Sequence, residues 1–334
     1  MLKAVVTLLC VLHVSARTRT YYLAAVEEDW DYAPLGNCVN DDTQISDQFL
    51  SRGEDRIGSV YRKILYRQYT DASFSRQVPR QAAQGMLGPT LRAETGDTIE
   101  VVFKNMAYTA NRSLSVHPHG VQYDKNAEGA LYVDQTTGTD KADEGVTPGQ
   151  QFRYVWRVGA SFAPTPDDQP CLPWAYHSHV AATRDVDSGL VGLLLTCKRG
   201  ETRTDTRRDV DKEFALYLDT TDENESWLIQ HNVDRCGNPA TCKQLAFSGD
   251  GSFVASNHMS HVNGRVYGNL EGLEMREREK VVLYFFSLNR GITSMHLSGV
   301  DTVTLFPATF VAATLTSVYT GSWLLASRNV DTYT

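Results

Sequence analysis

Val, Thr, Tyr and Phe recur along this chain in short runs broken by Gly, Pro, Asn and Asp, and long stretches with a 3.6-residue period are scarce. That pattern predicts an all-β protein. Tyr21 to Ala25 reads as a first strand and Trp30 to Pro34 as the turn after it. The polar stretch from Asn40 to Gly58 reads as loop, and Val60 to Tyr69 alternates as a strand. The turn Glu94-Thr-Gly-Asp97, followed by alternating apolar residues from Thr98 to Lys104, predicts a hairpin. Phe152 to Val158 is a strand, Phe162 to Pro170 a loop, and Ser188 to Cys197 a buried strand that closes a first domain. A charged run from Lys198 to Lys212 separates it from a second set of strands. These are Glu213 to Leu218, a turn and strand over Val262 to Gly268, Val281 to Phe286, and further runs in Asp301 to Val311 and Ser322 to Ala326. The expected division is a domain over 17–200, a linker over 201–212 and a second domain over 213–334 that reads as incomplete.

A length of 334 residues accommodates two ordinary domains. The net charge is −8 with Lys and Arg scattered, so no basic face for nucleic acid is expected. Residues 1–16 have the form of a secretory signal: Lys3, an apolar core from Ala4 to Val14, and a small-residue cleavage site at Val14-Ser15-Ala16. The core is too short to span a bilayer. No later segment reads as membrane-spanning, because Phe306 to Ala326, the nearest, carries Thr, Ser and Gly suited to strands. Export permits disulfides. Without Cys10 the chain retains Cys38, Cys171, Cys197, Cys236 and Cys242, an odd set with at least one thiol unpaired or paired outside the chain. A Cys171–Cys197 bridge would pin the strand between them, and Cys236–Cys242 could close a small loop. Asn111-Arg-Ser and Asn224-Glu-Ser are glycosylation sequons suited to a secreted glycoprotein.

The chemistry concentrates in two His-x-His tripeptides, His117-Pro-His119 and His177-Ser-His179, which hold four of the nine histidines. On a strand, residues i and i+2 face the same way, so each pair presents two imidazoles about 7 Å apart. That spacing suits two neighbouring ions better than one. Two such strands side by side would offer four nitrogen ligands to a cluster, and copper heads the affinity order for such ligands. A single such tripeptide is usually chance; two together favour metal. From Asp124 to Gly145 runs an acidic loop with Glu128, Asp134, Asp140, Asp143 and Glu144. Hard oxygen ligands gathered in one loop can hold calcium, though spacing alone suits a solvated loop better.

Several stretches resemble the N-terminal part of the ceruloplasmin and hephaestin family. They are Tyr21-Tyr-Leu, Trp30-Asp-Tyr-Ala-Pro, Asp55-Arg-Ile-Gly58, Gly88-Pro-Thr-Leu-Arg-Ala-Glu-Thr-Gly-Asp97 and His117-Pro-His-Gly. Tyr176-His-Ser-His-Val180, Ser188-Gly-Leu-Val-Gly192, Asp222-Glu-Asn-Glu-Ser-Trp227, Val262-Asn-Gly264 and Leu305-Phe-Pro-Ala-Thr309 extend the likeness over nearly all the chain. Those proteins are copper-dependent ferroxidases built from six cupredoxin domains. The resemblance implies two cupredoxin (plastocyanin-like) Greek-key domains here, the second degenerate and truncated. It implies that His117 binds a lone type 2 copper and that His119, His177 and His179 bind a type 3 pair, with the rest of the cluster supplied by the family's sixth domain. It also makes Lys125 (through its carbonyl), Asp140, Asp143 and Glu144 candidate calcium ligands, with Asp140 standing where the family usually has Gln and Glu144 where it has Asp.

The second domain departs from the family. Blue copper needs two His, a Cys and a weak axial ligand. By the resemblance His296 stands at the first position, but Ser327 stands at the Cys and Thr332 at the second His. About a dozen residues are missing around Gly299 to Asp301, and the usual cysteine partners are lost at Arg276 and Ser327. No His-Cys-His, the link between blue copper and cluster in that family, occurs in the sequence. The resemblance thus implies a copper-binding part of a ferroxidase, oxidising Fe(II) with O2 in iron and copper homeostasis and iron transport, inactive by itself. It would be completed by further cupredoxin domains or a second chain. The alternatives are a non-catalytic secreted copper-binding or interaction module, or a gene fragment. The expected place is extracellular, or the outer face of the plasma membrane within a longer anchored protein.

Overall fold

The computed structural model describes residues 16–38, 43–204, 206–288, 291–297 and 302–329. The expected leader, with Cys10, lies outside the described residues except for Ala16, and so do Gly299–Asp301 and Thr332. The chain runs β1 (Thr18–Asp31), α1 (Thr43–Leu50), β2 (Val60–Tyr69), β3 (Leu91–Glu94), β4 (Thr98–Met106), β5 (His117–Pro118), β6 (Gln151–Arg157), β7 (Cys171–His177), α2 (Ala182–Asp187) and β8 (Val191–Cys197). It continues with β9 (Lys212–Asp222), α3 (Ile229–Val233), α4 (Pro239–Ser248), α5 (Gly251–Ser256), β10 (His258–Val262), β11 (Lys280–Ser287), β12 (Thr293–Leu297), β13 (Thr302–Leu305), β14 (Thr309–Thr316) and β15 (Leu325–Asn329). Strands dominate, as the alternation predicts. No helix among the described residues is long and apolar enough to cross a membrane.

The strands form four sheets, ordered β2-β1-β4-β6, β3-β8-β7-β5, β10-β9-β11-β14 and β13-β12-β15. The first and third share one plan: a central parallel pair, β1 with β4 or β9 with β11, flanked on both sides by antiparallel neighbours. In β4 the strict alternation puts Ile99, Val101 and Phe103 inside. They meet Leu91, Tyr176 and Leu194 from the facing sheet, around Trp156. In the second half Leu216, Leu283 and Phe285 pack with Met295 and Leu305.

Strand β11 is buried on both faces, which explains its unbroken apolar run. Val281, Leu283 and Phe285 face their own core. Val282, Tyr284 and Phe286 face the other way, joining Ala175, Leu193 and Leu195 of β7 and β8 in a cluster that spans both halves.

The structure corrects several expectations. Glu94 to Asp97 is not a hairpin turn, because β3 and β4 belong to different sheets. The Asp97 carboxylate accepts from the Glu94 and Arg17 backbone N–H groups and from Arg19 and Arg199, so it braces a corner between sheets. The stretch Asn40 to Gly58 contains α1, and β1 runs on through Trp30 and Asp31 in register with Tyr61 and Val60. Helices also fill much of 229–256, with α4 started by the Asn238 cap and Pro239 and ended by left-handed Gly249. Within the charged stretch before β9, Arg203, Arg208 and Asp211 are exposed, whereas Arg207 is buried between Asp209 and Gln169.

A buried polar cluster joins β2 to the segment after β9. Lys63 and Glu223 are both fully buried and ion-paired, Lys63 Nζ donates to the Asp187 carbonyl at 3.0 Å, and the Tyr32 hydroxyl donates to Glu223 at 2.6 Å. Replacing Lys63→Met should cost roughly 3–5 kcal/mol, because Glu223 is left buried without its counter-ion. The double replacement with Glu223→Gln should restore most of that loss in urea denaturation; equal losses would refute the pairing. Nearby, His261 accepts from the Gly264 N–H at Nδ1 (3.1 Å) and lies 2.9 Å from Thr221 Oγ1 through Nε2. Burial holds its pKa down to about 3, and the Lys63 ammonium pushes the same way. The unfolded chain therefore binds a proton that the fold excludes. This contribution to stability is complete above about pH 6.5 and lost as pH falls toward 3, at up to about 1.4 kcal/mol per pH unit. His261→Gln should flatten the acid limb of a metal-free stability profile by one proton; an unchanged slope would refute this.

Candidate metal centre

The two His-x-His motifs come together because β5, only two residues long, pairs antiparallel with the end of β7, placing His117 opposite His177 and Pro118 opposite Tyr176. At its other end β7 is tied to β8 by the Cys171–Cys197 disulfide. Two glycines let the chain fold over the histidines. Gly120 has φ 71°, and a Cβ there would lie 2.2 Å from the Trp174 indole. Gly129 has φ 70°, and a Cβ there would lie 2.2 Å from the Val116 carbonyl. The Ser115 hydroxyl donates to the Gly129 carbonyl (2.6 Å) and accepts from the His179 N–H (3.0 Å), locking both motifs to the loop.

The four rings form one cluster. His117 lies 5.4, 5.6 and 5.0 Å, centroid to centroid, from His119, His177 and His179. His177 lies 5.3 Å from His119 and 5.4 Å from His179. The spacing within each motif is thus tighter than strand arithmetic predicts, because His119 and His179 lie beyond the strand ends. The closest approach is between motifs, with His119 Nε2 3.1 Å from His177 Nε2. Two nitrogens at that separation can share one ion at ordinary imidazole–metal distances of about 2 Å.

Tautomers and charge suit ligation. His117 Nδ1 meets the Glu128 carbonyl at 2.7 Å and His177 Nδ1 the Ser178 carbonyl at 2.9 Å. A carbonyl only accepts, so each Nδ1 carries the hydrogen and each Nε2 keeps its lone pair. Burial lowers His117 to about 4 and His177 to about 3, and it lowers His119 as well. These rings are therefore neutral near pH 7. Among the described residues no three His, Cys, Asp or Glu side chains close around a single point, so the quartet consists of paired donors rather than a cage.

The acidic loop borders this cluster. Lys125 Nζ contacts Glu128 (2.8 Å) and Asp134 (2.7 Å), and Lys141 Nζ contacts Glu144 (3.0 Å) and Asp134 (3.5 Å). The hydrogen bonds that the Lys125 ammonium donates to Asp134 and Glu128 hold it above its usual pKa. Asp140 is exposed on a single helical turn, Gly138–Lys141. Asp143 and Glu144 are buried. Asp143 Oδ2 accepts from the Gly129 N–H at 2.7 Å, its Oδ1 has no hydrogen-bond partner among the described residues, and burial raises its pKa. The expected calcium ligands are thus divided, and the lysine ammoniums take up Glu128, Asp134 and Glu144.

In the second half His296 is exposed on β12, with Nδ1 3.2 Å from Thr302 Oγ1. Ser327 pairs with Met295 in the neighbouring strand. Cys236 and Cys242 form a second disulfide and Cys38 is a free, exposed thiol. Asn111 is exposed, whereas the Asn224 amide donates to Asp222 (2.7 Å) and to the Val254 carbonyl (3.0 Å). Sequence reasoning missed the aromatic frame of the histidines: Tyr123 against His117, Tyr132 against His179, and Phe310 against His119. Only the two tyrosines had a signal, as aromatics in the loop that follows the first motif.

Residues 67–200 match the multicopper oxidase family model. The chain is 41% identical over 337 residues to the ferroxidase HEPHL1 of Homo sapiens, covering 95% of this chain and 28% of that protein. It is 40% identical over 329 residues to hephaestin of Mus musculus, covering 92% and 28%. It is 36% identical over 340 residues to ceruloplasmin of Ovis aries, covering 97% and 32%. The chain therefore spans less than a third of the length of these relatives. Among solved structures, a multicopper oxidase superposes with a TM-score of 0.56 at 18% identity, over 94% of this chain and 84% of that one. A copper nitrite reductase from Nitrosomonas europaea superposes with a TM-score of 0.53 at 16% identity, over 92% and 87%. The fold is accordingly of the cupredoxin type. With the paired His-x-His strands at its edge, the chain is similar over nearly all its length to the ceruloplasmin and hephaestin group, and residues 67–200 carry the multicopper oxidase match.

Proposed function

We propose that this chain is a copper-binding part of a ferroxidase-type multicopper oxidase, with His117, His119, His177 and His179 forming one side of a three-copper cluster. The observation that carries this reading is the 3.1 Å approach of His119 Nε2 to His177 Nε2 within a quartet of packed imidazoles. Copper, when bound, supplies one-electron chemistry for oxidising Fe(II) and reducing O2. The chain's own part is to present neutral nitrogens, two of them oriented by backbone carbonyls. The paired donors leave each ion in need of ligands from further cupredoxin domains or a second chain. We further propose two cupredoxin domains over 17–200 and 213–334, joined through 201–212, with residues 1–16 directing export and Asn111 the better placed glycosylation site. Calcium at Asp143 and Glu144 would require the Lys141 ammonium to withdraw from Glu144.

A second reading, a non-catalytic secreted copper-binding or interaction module, is favoured by the absence of His-Cys-His from the sequence and by Ser327 at the family's blue-copper cysteine. Under either reading the purified chain should show no blue absorption band and should oxidise Fe(II) no faster than buffer. Turnover above that rate would refute the role as a part requiring completion.

Copper uptake tests the site itself. In equilibrium dialysis the chain should bind Cu(II), and His117→Ala with His177→Ala should abolish that binding; equal uptake by the double variant would overturn the assignment. Proton competition should begin late, because His117 and His177 protonate only near pH 4 and 3. Binding should therefore persist at about pH 5.5, where an ordinary imidazole is largely protonated. Release at pH 6 to 6.5 would contradict the buried, neutral state.

A further inference from the structure

His117 and His177 each have a ring nitrogen fixed by a backbone carbonyl, but His119 does not. Among the described residues its ring has no hydrogen bond apart from the approach to His177. It lies just past the end of β5, before the left-handed turn at Gly120; its backbone N–H donates to the Ala175 carbonyl of β7 at 2.9 Å, which fixes the main chain but not the ring. What meets its ring is Phe310, the second residue of β14, edge-to-face with centroids 5.7 Å apart and planes at 61°. Phe310 also packs on Trp174, at 5.9 Å. The Trp174 indole is anchored by its N–H to Thr196 Oγ1 at 2.9 Å and lies against the Gly120 backbone. The position of β14 is set by its pairing with β11, Phe310 opposite Phe286, and by Gln169, which donates to the Ala312 carbonyl at 2.9 Å.

We infer that Phe310 is a positioning residue for the metal centre: a ring from the second half holds the His119 imidazole with its Nε2 facing His177 Nε2, where a hydrogen bond would ordinarily do so. This rests on the copper reading above. It assigns the half without a complete blue-copper set a part in shaping the site in the other half. Partners that orient a metal-bound imidazole typically contribute 10- to 100-fold in affinity.

The test titrates chelator-stripped chain with Cu(II) against a competing chelator. Phe310→Ala should weaken binding about 10-fold or more, and Phe310→Leu, which keeps an apolar side chain against His119, should recover most of it. In a His119→Ala background, Phe310→Ala should cause no further loss. The thermal midpoint of each metal-free variant separates positioning from general loosening. Wild-type affinity in Phe310→Ala, or an equal loss in the His119→Ala background, would overturn the inference while leaving the copper site standing. No copper uptake by the wild-type chain would bring down both.

Discussion

The structure depends on the burial of the β7–β8 pair on both faces. One face, through Tyr176 and Leu194, closes the first core, and the other, through Ala175, Leu193 and Leu195, is covered by β11 and its neighbours. A strand confined from both sides cannot slip by a residue without exposing apolar side chains in two places. The end of β7 is therefore fixed in space, and with it His177 and the turn that carries His179. The short β5 pairs with that fixed edge and brings His117 to it. The location of the imidazoles is thus a by-product of hydrophobic packing remote from them.

The regular strands were the most legible part of the sequence. Val60 to Tyr69 forms β2 with those bounds, and β6 and β11 lie where the apolar pattern places them, because each has local alternation or a continuous apolar run. The corner at Glu94 to Asp97 was misread because its partners are remote: Arg19 and Arg199 lie 78 and 102 residues from Asp97. The helices of 229–256 had readable signals in Asn238-Pro239 and Asp250, but their short length gives little amphipathic periodicity. For the candidate metal centre, motif and family likeness singled out the four histidines that the structure brings together. Their geometry was not legible, since ideal strand rise does not apply past a strand end. Phe310 lacked any local cue, as its contact joins residues 119 and 310.

The acidic loop gains a different meaning from its surroundings. Asp143 holds the Gly129 N–H, and the preceding residue, Glu128, offers the carbonyl that orients His117. The Tyr154 hydroxyl donates to the Asp143 carbonyl at 2.8 Å, and Trp156 donates to the Ala127 carbonyl at 2.9 Å. Core aromatics thus reach through the loop to a ring nitrogen. A change in charge around Asp143 would be felt at the imidazole without any direct contact.

The same sheet plan occurs twice, as β2-β1-β4-β6 and as β10-β9-β11-β14. The imidazole quartet stands at the rim of one half, at and just past the ends of β5 and β7. Architecture and chemistry are therefore separable in this molecule. Two halves built on one template can thus differ in side-chain chemistry and still pack against each other through β11, β7 and β8.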